Sequence, residues 1–283
     1  MDQIPATYND LKAVITARYN ALPRQLKKFG RFALDNSDIL ALETVTTVAQ
    51  RADVQPSTII RFAKAIGYDG FSDLQQICRN RLMEDTSSYR ERIKSFRSEG
   101  PESAGSRLNE FCEAGMDALD HLRLNTPSDK LEQAVGILKG ARDIHLFGQG
   151  RSFAVAQYLH YALSRLEIRC FLADGAGGML KYQLGIAGPS DAVIAISFSP
   201  YTPVVNSVVT DLAGQGVQVI SITDSPLSPL AEPSAVSFEI AEAQDQTFRT
   251  LVAPLCLAQS LVVSLGQAIA EMQPRRPATK DEL

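Results

Sequence analysis

The sequence predicts two domains: an all-α helix-turn-helix domain, followed by an α/β domain with a five-stranded parallel sheet covered by helices on both faces. Three observations predict this. Up to about residue 75 the apolar residues recur at helical spacing, with no strand-like run among them. From Ile144 onward, short unbroken apolar runs alternate with helical stretches, the pattern of a parallel sheet buried on both sides. Between the two regions, Glu84 to Arg107 is polar and rich in Ser, Gly and charge, as a linker is. The expected boundaries are 1–84 for the helical domain, 85–127 for linker and connecting helix, 128–272 for the sheet domain and 273–283 for a polar tail.

In the first domain, Leu11, Val14, Ile15, Tyr19 and Leu22 mark one helix, and Pro23 opens a second that runs to about Leu34. Thr44 can cap a short helix over Val45–Ala52, Asp53-Val54-Gln55 makes a tight turn, and Pro56 opens a helix that Gly67 closes. Ile59, Phe62, Ala63 and Ile66 fall on one face of that last helix, and Ser57, Arg61 and Lys64 on the other. Two helices joined by a three-residue turn form a helix-turn-helix unit. Its outer face offers hydroxyl and cationic groups where a recognition helix meets base edges and phosphates. A helical hairpin with a solvated charged face is the alternative.

Beyond the linker, which has a frayed helical pattern over Tyr89–Phe96, Leu108, Phe111, Cys112, Met116 and Leu119 mark one helix and Leu131, Val135 and Leu138 another. Five strands are expected, at Ile144–Phe147, Ile168–Leu172, Ala192–Ile196, Val217–Ile222 and Val236–Ile240. Helices over Ser152–Leu166, Pro203–Ala213 and Phe248–Ile269 alternate with them. Ligands of such sheets bind at the carboxyl ends of the strands.

Two turns at those ends stand out. After Ala192–Ile196 comes Ser197-Phe198-Ser199-Pro200-Tyr201-Thr202, just before a helix. Free backbone N–H groups, the helix dipole and the hydroxyls of Ser197, Ser199 and Thr202 together suit an anion, and a phosphate cradle is the reading. Ordinary helix capping uses the same residue types. After Ile144–Phe147 comes Gly148-Gln149-Gly150-Arg151-Ser152, whose glycines let the backbone turn and approach a ligand closely. Phe153 stands where a dinucleotide fingerprint wants a small residue, so NAD and FAD are discounted and no cofactor is expected.

Thr47 to Gln75, TVAQRADVQPSTIIRFAKAIGYDGFSDLQ, resembles the amino-terminal domain of the RpiR family of bacterial transcriptional regulators. The resemblance rests on Pro-x-Thr at the helix start, Arg-Phe in its middle and the Gly-Tyr-x-Gly-Phe-x-x-Leu tail, here Gly67 to Leu74. Gln55 departs from that family's usual Ser cap. The paired GxGxS and Ser-x-Ser-x-x-Thr turns are similar to those of the sugar isomerase (SIS) domain, the phosphosugar-binding half of the same regulators. The resemblance implies that Ser152, Ser197, Ser199 and Thr202 hold a sugar phosphate beside Gly148 and Gly150. Pro200 stands where that domain often has Gly, which removes one amide donor. Candidate DNA contacts are Gln55, Ser57, Thr58, Arg61 and Lys64.

Composition agrees. Residues 1–100 hold 15 Lys+Arg against 12 Asp+Glu, net +3, and the remainder 13 against 20, net −7, so the helical front is the basic half. Cys78, Cys112, Cys170 and Cys256 are too widely spaced for a metal site and suit reduced thiols in a cytoplasmic protein. No apolar stretch approaches the roughly 20 residues that cross a bilayer, and the start of the chain lacks a signal-peptide pattern. Aldose–ketose isomerases need a general base, for which His121, His145, His160, Glu239 and Glu242 are the available groups. None is well placed, so no catalytic residue is assigned. The sequence thus describes a regulator of carbohydrate metabolism whose partners are double-stranded DNA with a pseudo-palindromic operator, a phosphorylated sugar or sugar-acid effector, and further copies of itself as dimer or tetramer. A phosphosugar isomerase is the alternative function, and a binding scaffold with neither activity a third.

Overall fold

The computed structural model describes residues 4–86, 93, 104–199, 201, 203–240 and 248–271. They fall into two compact units, one built on the chain up to Cys112 with Ser225–Ser228 added, the other on the chain from Glu113 onward. The break lies inside the stretch expected as linker and connecting helix. The frayed helix over Tyr89–Phe96 lies, but for Ile93, outside the described residues.

The first unit is helical: α1 Tyr8–Arg18, α2 Arg24–Asp35, α3 Ser37–Leu42, α4 Val45–Arg51, α5 Pro56–Ile66 and α6 Phe71–Thr86. α3 and α6 had no counterpart in the periodicity reading. α3 is too short to be stable alone, and α6 holds it: Gln75 donates to the carbonyls of Leu40 and Glu43, and Arg79 to that of Ala41. The core is built around Phe29 and Phe62, edge to face at 5.0 Å, with Leu11, Ile15, Leu40, Ile59, Ile66 and Leu74. A Cβ at Gly30 would meet the Phe62 ring at 2.9 Å, so glycine there lets α2 and α5 approach.

The second unit is a sheet of five parallel strands, β1 Ile144–Gly148, β2 Cys170–Ala173, β3 Ala192–Ile196, β4 Gln218–Thr223 and β5 Val236–Glu239, ordered β2-β1-β3-β4-β5. Its helices are α7 Ala104–Asn125, which begins before the break, α8 Ser128–Gly140, α9 Ser152–Arg165, α10 Leu180–Leu184, α11 Pro203–Gly214 and α12 Val252–Ala270. β3 is wholly buried. Ala192, Ile194 and Ile196 face a core shared with α7, α8, α9 and α12, while Val193 and Ala195 face one shared with α10 and α11. That is the two-sided burial its unbroken apolar run predicts.

Two expectations need correction. α12 has 19 residues of mean hydropathy 1.6, so one described helix is long and apolar enough to cross a bilayer. Here Ala253, Leu257, Ala258, Leu261 and Leu265 face the sheet core, and a helix so placed needs apolar residues on a wide face. On α7, the large residues that marked the helix do not all face inward. Leu108 and Met116 are 64% and 58% exposed, and the buried positions are Ala114, Gly115, Ala118 and Leu122. Small residues win that face because the helix packs close, with Val252 within 3.5 Å of where a Cβ on Gly115 would lie.

The amino-terminal edge of the sheet holds a charge cluster. Arg142 donates to both oxygens of buried Asp191 at 3.1 and 3.0 Å, and Arg169 pairs with Asp143 at 2.9 Å. His145, buried within β1, stacks on Phe171 with its Nε2 3.9 Å from Asp191. Burial lowers the His145 pKa, against the opposing pull of Asp191 and Asp143. Below the ordinary histidine value of about 6.5 the unfolded chain therefore binds a proton that the folded chain resists, and stability is lost as the pH falls through that value. The midpoint of thermal unfolding is expected to fall less between pH 7.5 and 5.5 in His145→Gln than in wild type. Parallel pH profiles would show that His145 is not the group responsible.

Candidate functional site

α4 and α5 form the helix-turn-helix predicted for them. Thr44 accepts the Thr47 N–H at 3.3 Å as the N-cap of α4. Asp53 takes a left-handed turn conformation with φ 50°, and the Lys28 ammonium holds both its carbonyl and its carboxylate. Gly67, at φ 114°, ends α5 and donates to the carbonyls of Ala63 and Lys64, while Arg18 caps that of Ala65 at 2.8 Å. The helix is thus fixed at its carboxyl end and along its buried face. Gln55, Ser57, Arg61 and Lys64 are exposed and Thr58 is half-buried. All five candidate contacts therefore lie on or beside the outer face of α5.

In the second unit the strand order decides the site. β1 leads to β2 on one side of it and its neighbour β3 leads to β4 on the other, so the connections from these two central strands run in opposite directions. Such a reversal opens a crevice at the carboxyl ends of the two central strands. Gly148 pairs with Ile196 across β1 and β3, so the turns beginning at Gln149 and Ser197 start side by side. They enclose an open cavity of about 230 Å³, lined by Gln149, Gly150, Arg151, Ser152, Ser197, Phe198 and Ser199.

Each predicted residue has a definite place. A Cβ on Gly148 would lie 2.8 Å from the Ser152 carbonyl oxygen, so only glycine lets the first turn of α9 come this close. Gly150 has φ +57°. Ser152 is buried at the first position of α9, whose N-cap is Arg151 with no side-chain cap bond, so Ser152 does not serve as the cap. Ser197 is buried and Ser199 half-buried. Thr202 lies outside the described residues, as do Pro200 and Glu242.

The turn differs from expectation in one respect. The Ser197 N–H donates to the Ile222 carbonyl at 3.1 Å, and the Ser199 N–H to the Asp224 carboxylate at 3.3 Å. These two amides are not free, so neither is a backbone donor to a ligand. Asp224 also accepts from the Tyr201 hydroxyl, so one carboxylate at the end of β4 pins two points of the serine turn. Arg151, its guanidinium 5.4 Å from the centre of the Phe198 ring, supplies the cavity's positive charge. Neither residue was singled out from the sequence, although Arg151 lies inside the quoted glycine turn. Asp224 was findable as the polar residue directly after a predicted strand. The isomerase candidates lie elsewhere: His145 at the opposite edge of the sheet, His121 and His160 within α7 and α9, and Glu239 in β5, none of them on the cavity lining.

The family model described as a helix-turn-helix domain, rpiR family, matches residues 9–84, and that of the SIS domain matches residues 137–264. Together they cover well over half the chain, in the order that both folds require. The chain belongs to the RpiR family. Among curated relatives of this RpiR chain, an uncharacterized HTH-type transcriptional regulator of Escherichia coli, YfhH, is 27% identical over 270 residues, 93% of this chain and 94% of its own. The bifunctional protein glk of Burkholderia orbicola is also 27% identical over 93% of this chain, but the chain spans only 40% of that protein's length. Among solved structures, the Vibrio vulnificus NanR protein complexed with ManNAc-6P shares the fold with TM-score 0.57 and 19% identity, covering 92% of this chain and 93% of that one. At its one marked departure from the RpiR helix start, Gln55 is the N-cap of α5 and makes no side-chain cap bond.

Proposed function

We propose that this protein is a DNA-binding transcriptional regulator of carbohydrate metabolism whose operator affinity is set by a phosphorylated sugar held between the Gly148–Ser152 and Ser197–Thr202 turns. The observation that carries this is the hydroxyl-lined cavity at the sheet's switch point, in the same chain as a helix-turn-helix with an exposed cationic face. The hydroxyls of Ser152, Ser197 and Ser199 donate to the phosphate oxygens, with Thr202 completing the set, and Arg151 balances their charge. The protein binds the sugar without turning it over, as a cytoplasmic dimer or tetramer. Dimer symmetry places two α5 helices one DNA turn apart on a pseudo-palindromic operator.

Effector and operator are coupled only if the sugar contacts differ between DNA-competent and incompetent arrangements. Couplings of this kind change affinity by about 5- to 150-fold. The test is fluorescence anisotropy of the full-length protein on duplexes enriched from a random library, titrated with a panel of sugar phosphates that includes ManNAc-6P. A shift in that range with one member, with the sugar recovered unchanged, is the expected result. A panel without effect would overturn the effector assignment, and conversion of the sugar would turn the reading toward a phosphosugar isomerase.

A further inference from the structure

We infer that Ile60 reads a thymine of the operator through its C5-methyl group, an inference that rests on the DNA reading above. With 3.6 residues per turn, Ser57, Ile60, Arg61 and Lys64 fall within one stripe about 100° wide along α5. The opposite stripe, Ile59, Phe62, Ala63 and Ile66, is almost wholly buried, at no more than 2% exposure. Ile60 is 42% exposed, so a branched apolar side chain stands at one margin of the face that carries the hydroxyl and both cations. The core makes no demand for it, since the inward positions of α5 are already filled.

In the major groove the thymine C5-methyl stands out among hydrogen-bond donors and acceptors as a bulky apolar group, and apolar side chains recognise it. Arg61 and Lys64, both C-terminal to Ile60 on the helix, reach guanine edges or phosphates, and Ser57 lies one turn before it. A helix seated by those contacts brings Ile60 against the base edges beside them. An isoleucine there gains by covering a methyl and loses by facing the polar edge of a G·C pair. The segment therefore selects A·T at one position in each half-site.

The test uses a duplex enriched from a random library by the full-length protein, remade with each thymine replaced singly by deoxyuridine, which removes only the methyl. One position per half-site is expected to lose about fourfold in affinity, the effect of uncovering one methylene-sized group. The same exchange is expected to cost nothing in Ile60→Ser, whose fold is checked by circular dichroism and whose change sits on the exposed face. No exchange costing more than twofold, or an undiminished loss in Ile60→Ser, would overturn the assignment of Ile60 while leaving DNA binding in place. If the selection enriches no sequence at all, the DNA reading fails and this inference falls with it.

Discussion

Replacing Ser197 and Ser199 together by alanine is expected to erase the thermal stabilisation that a bound sugar phosphate gives the wild-type protein. A ligand at 100 times its dissociation constant stabilises the native state by about 2.7 kcal/mol. In a unit of roughly 150 residues, that is a rise in unfolding midpoint of about 5–10 °C. Each serine hydroxyl is a donor to a charged oxygen, worth about 1.5–3 kcal/mol when made. The amides of the same two residues are engaged by Ile222 and Asp224, so at these positions they do not substitute for the lost hydroxyls. Losing both costs several kcal/mol, and at the same ligand concentration the shift disappears. Circular dichroism of the unliganded double variant checks that the fold is kept, so that a lost ligand shift reports on the site. An undiminished ligand shift in the double variant would remove the serine turn from the site.

Arg61→Ala is expected to weaken operator binding by about 1–3 kcal/mol, roughly 5- to 150-fold, without disturbing the fold. Arg61 is exposed on α5 while its neighbour Phe62 is fully buried, so the variant removes a head group from the outer face and leaves the core intact. Anisotropy titrations at several salt concentrations separate its two possible partners. If Arg61 meets a phosphate, the slope of log affinity against log salt falls by about one and all sequences weaken alike. If it reads a guanine edge, discrimination at one position relaxes and the slope changes little. Unaltered affinity for the operator would remove α5 from its place as the recognition helix.

Much of this was legible in the sequence because it depends on local chemistry. Proline at the start of α5 and glycine at its end set the helix limits through backbone geometry alone. The run Ala192–Ile196 signalled a strand buried on both faces because nothing polar interrupts it. What failed did so where a neighbour far along the chain decides. α3 is six residues whose carbonyls are bonded from α6. The inward face of α7 is set by close packing against Val252, so its small residues turn inward and Leu108 and Met116 outward.

The same division runs through the site. By itself the sequence determined the two folds, the exposed stripe on α5, and the two turns whose glycines and hydroxyls suit a phosphate, since each is written in residues adjacent in the chain. Only the tertiary structure decided that the turns meet. Gly148 and Ile196 are 48 positions apart and become partners because β3 pairs with β1 on the side that β2 leaves open. It alone placed Asp224 against the amide of Ser199, so that this amide is taken up within the fold. Hydrogen bonds between strands far apart in the chain have no periodicity, and no pattern of neighbouring residues can announce them.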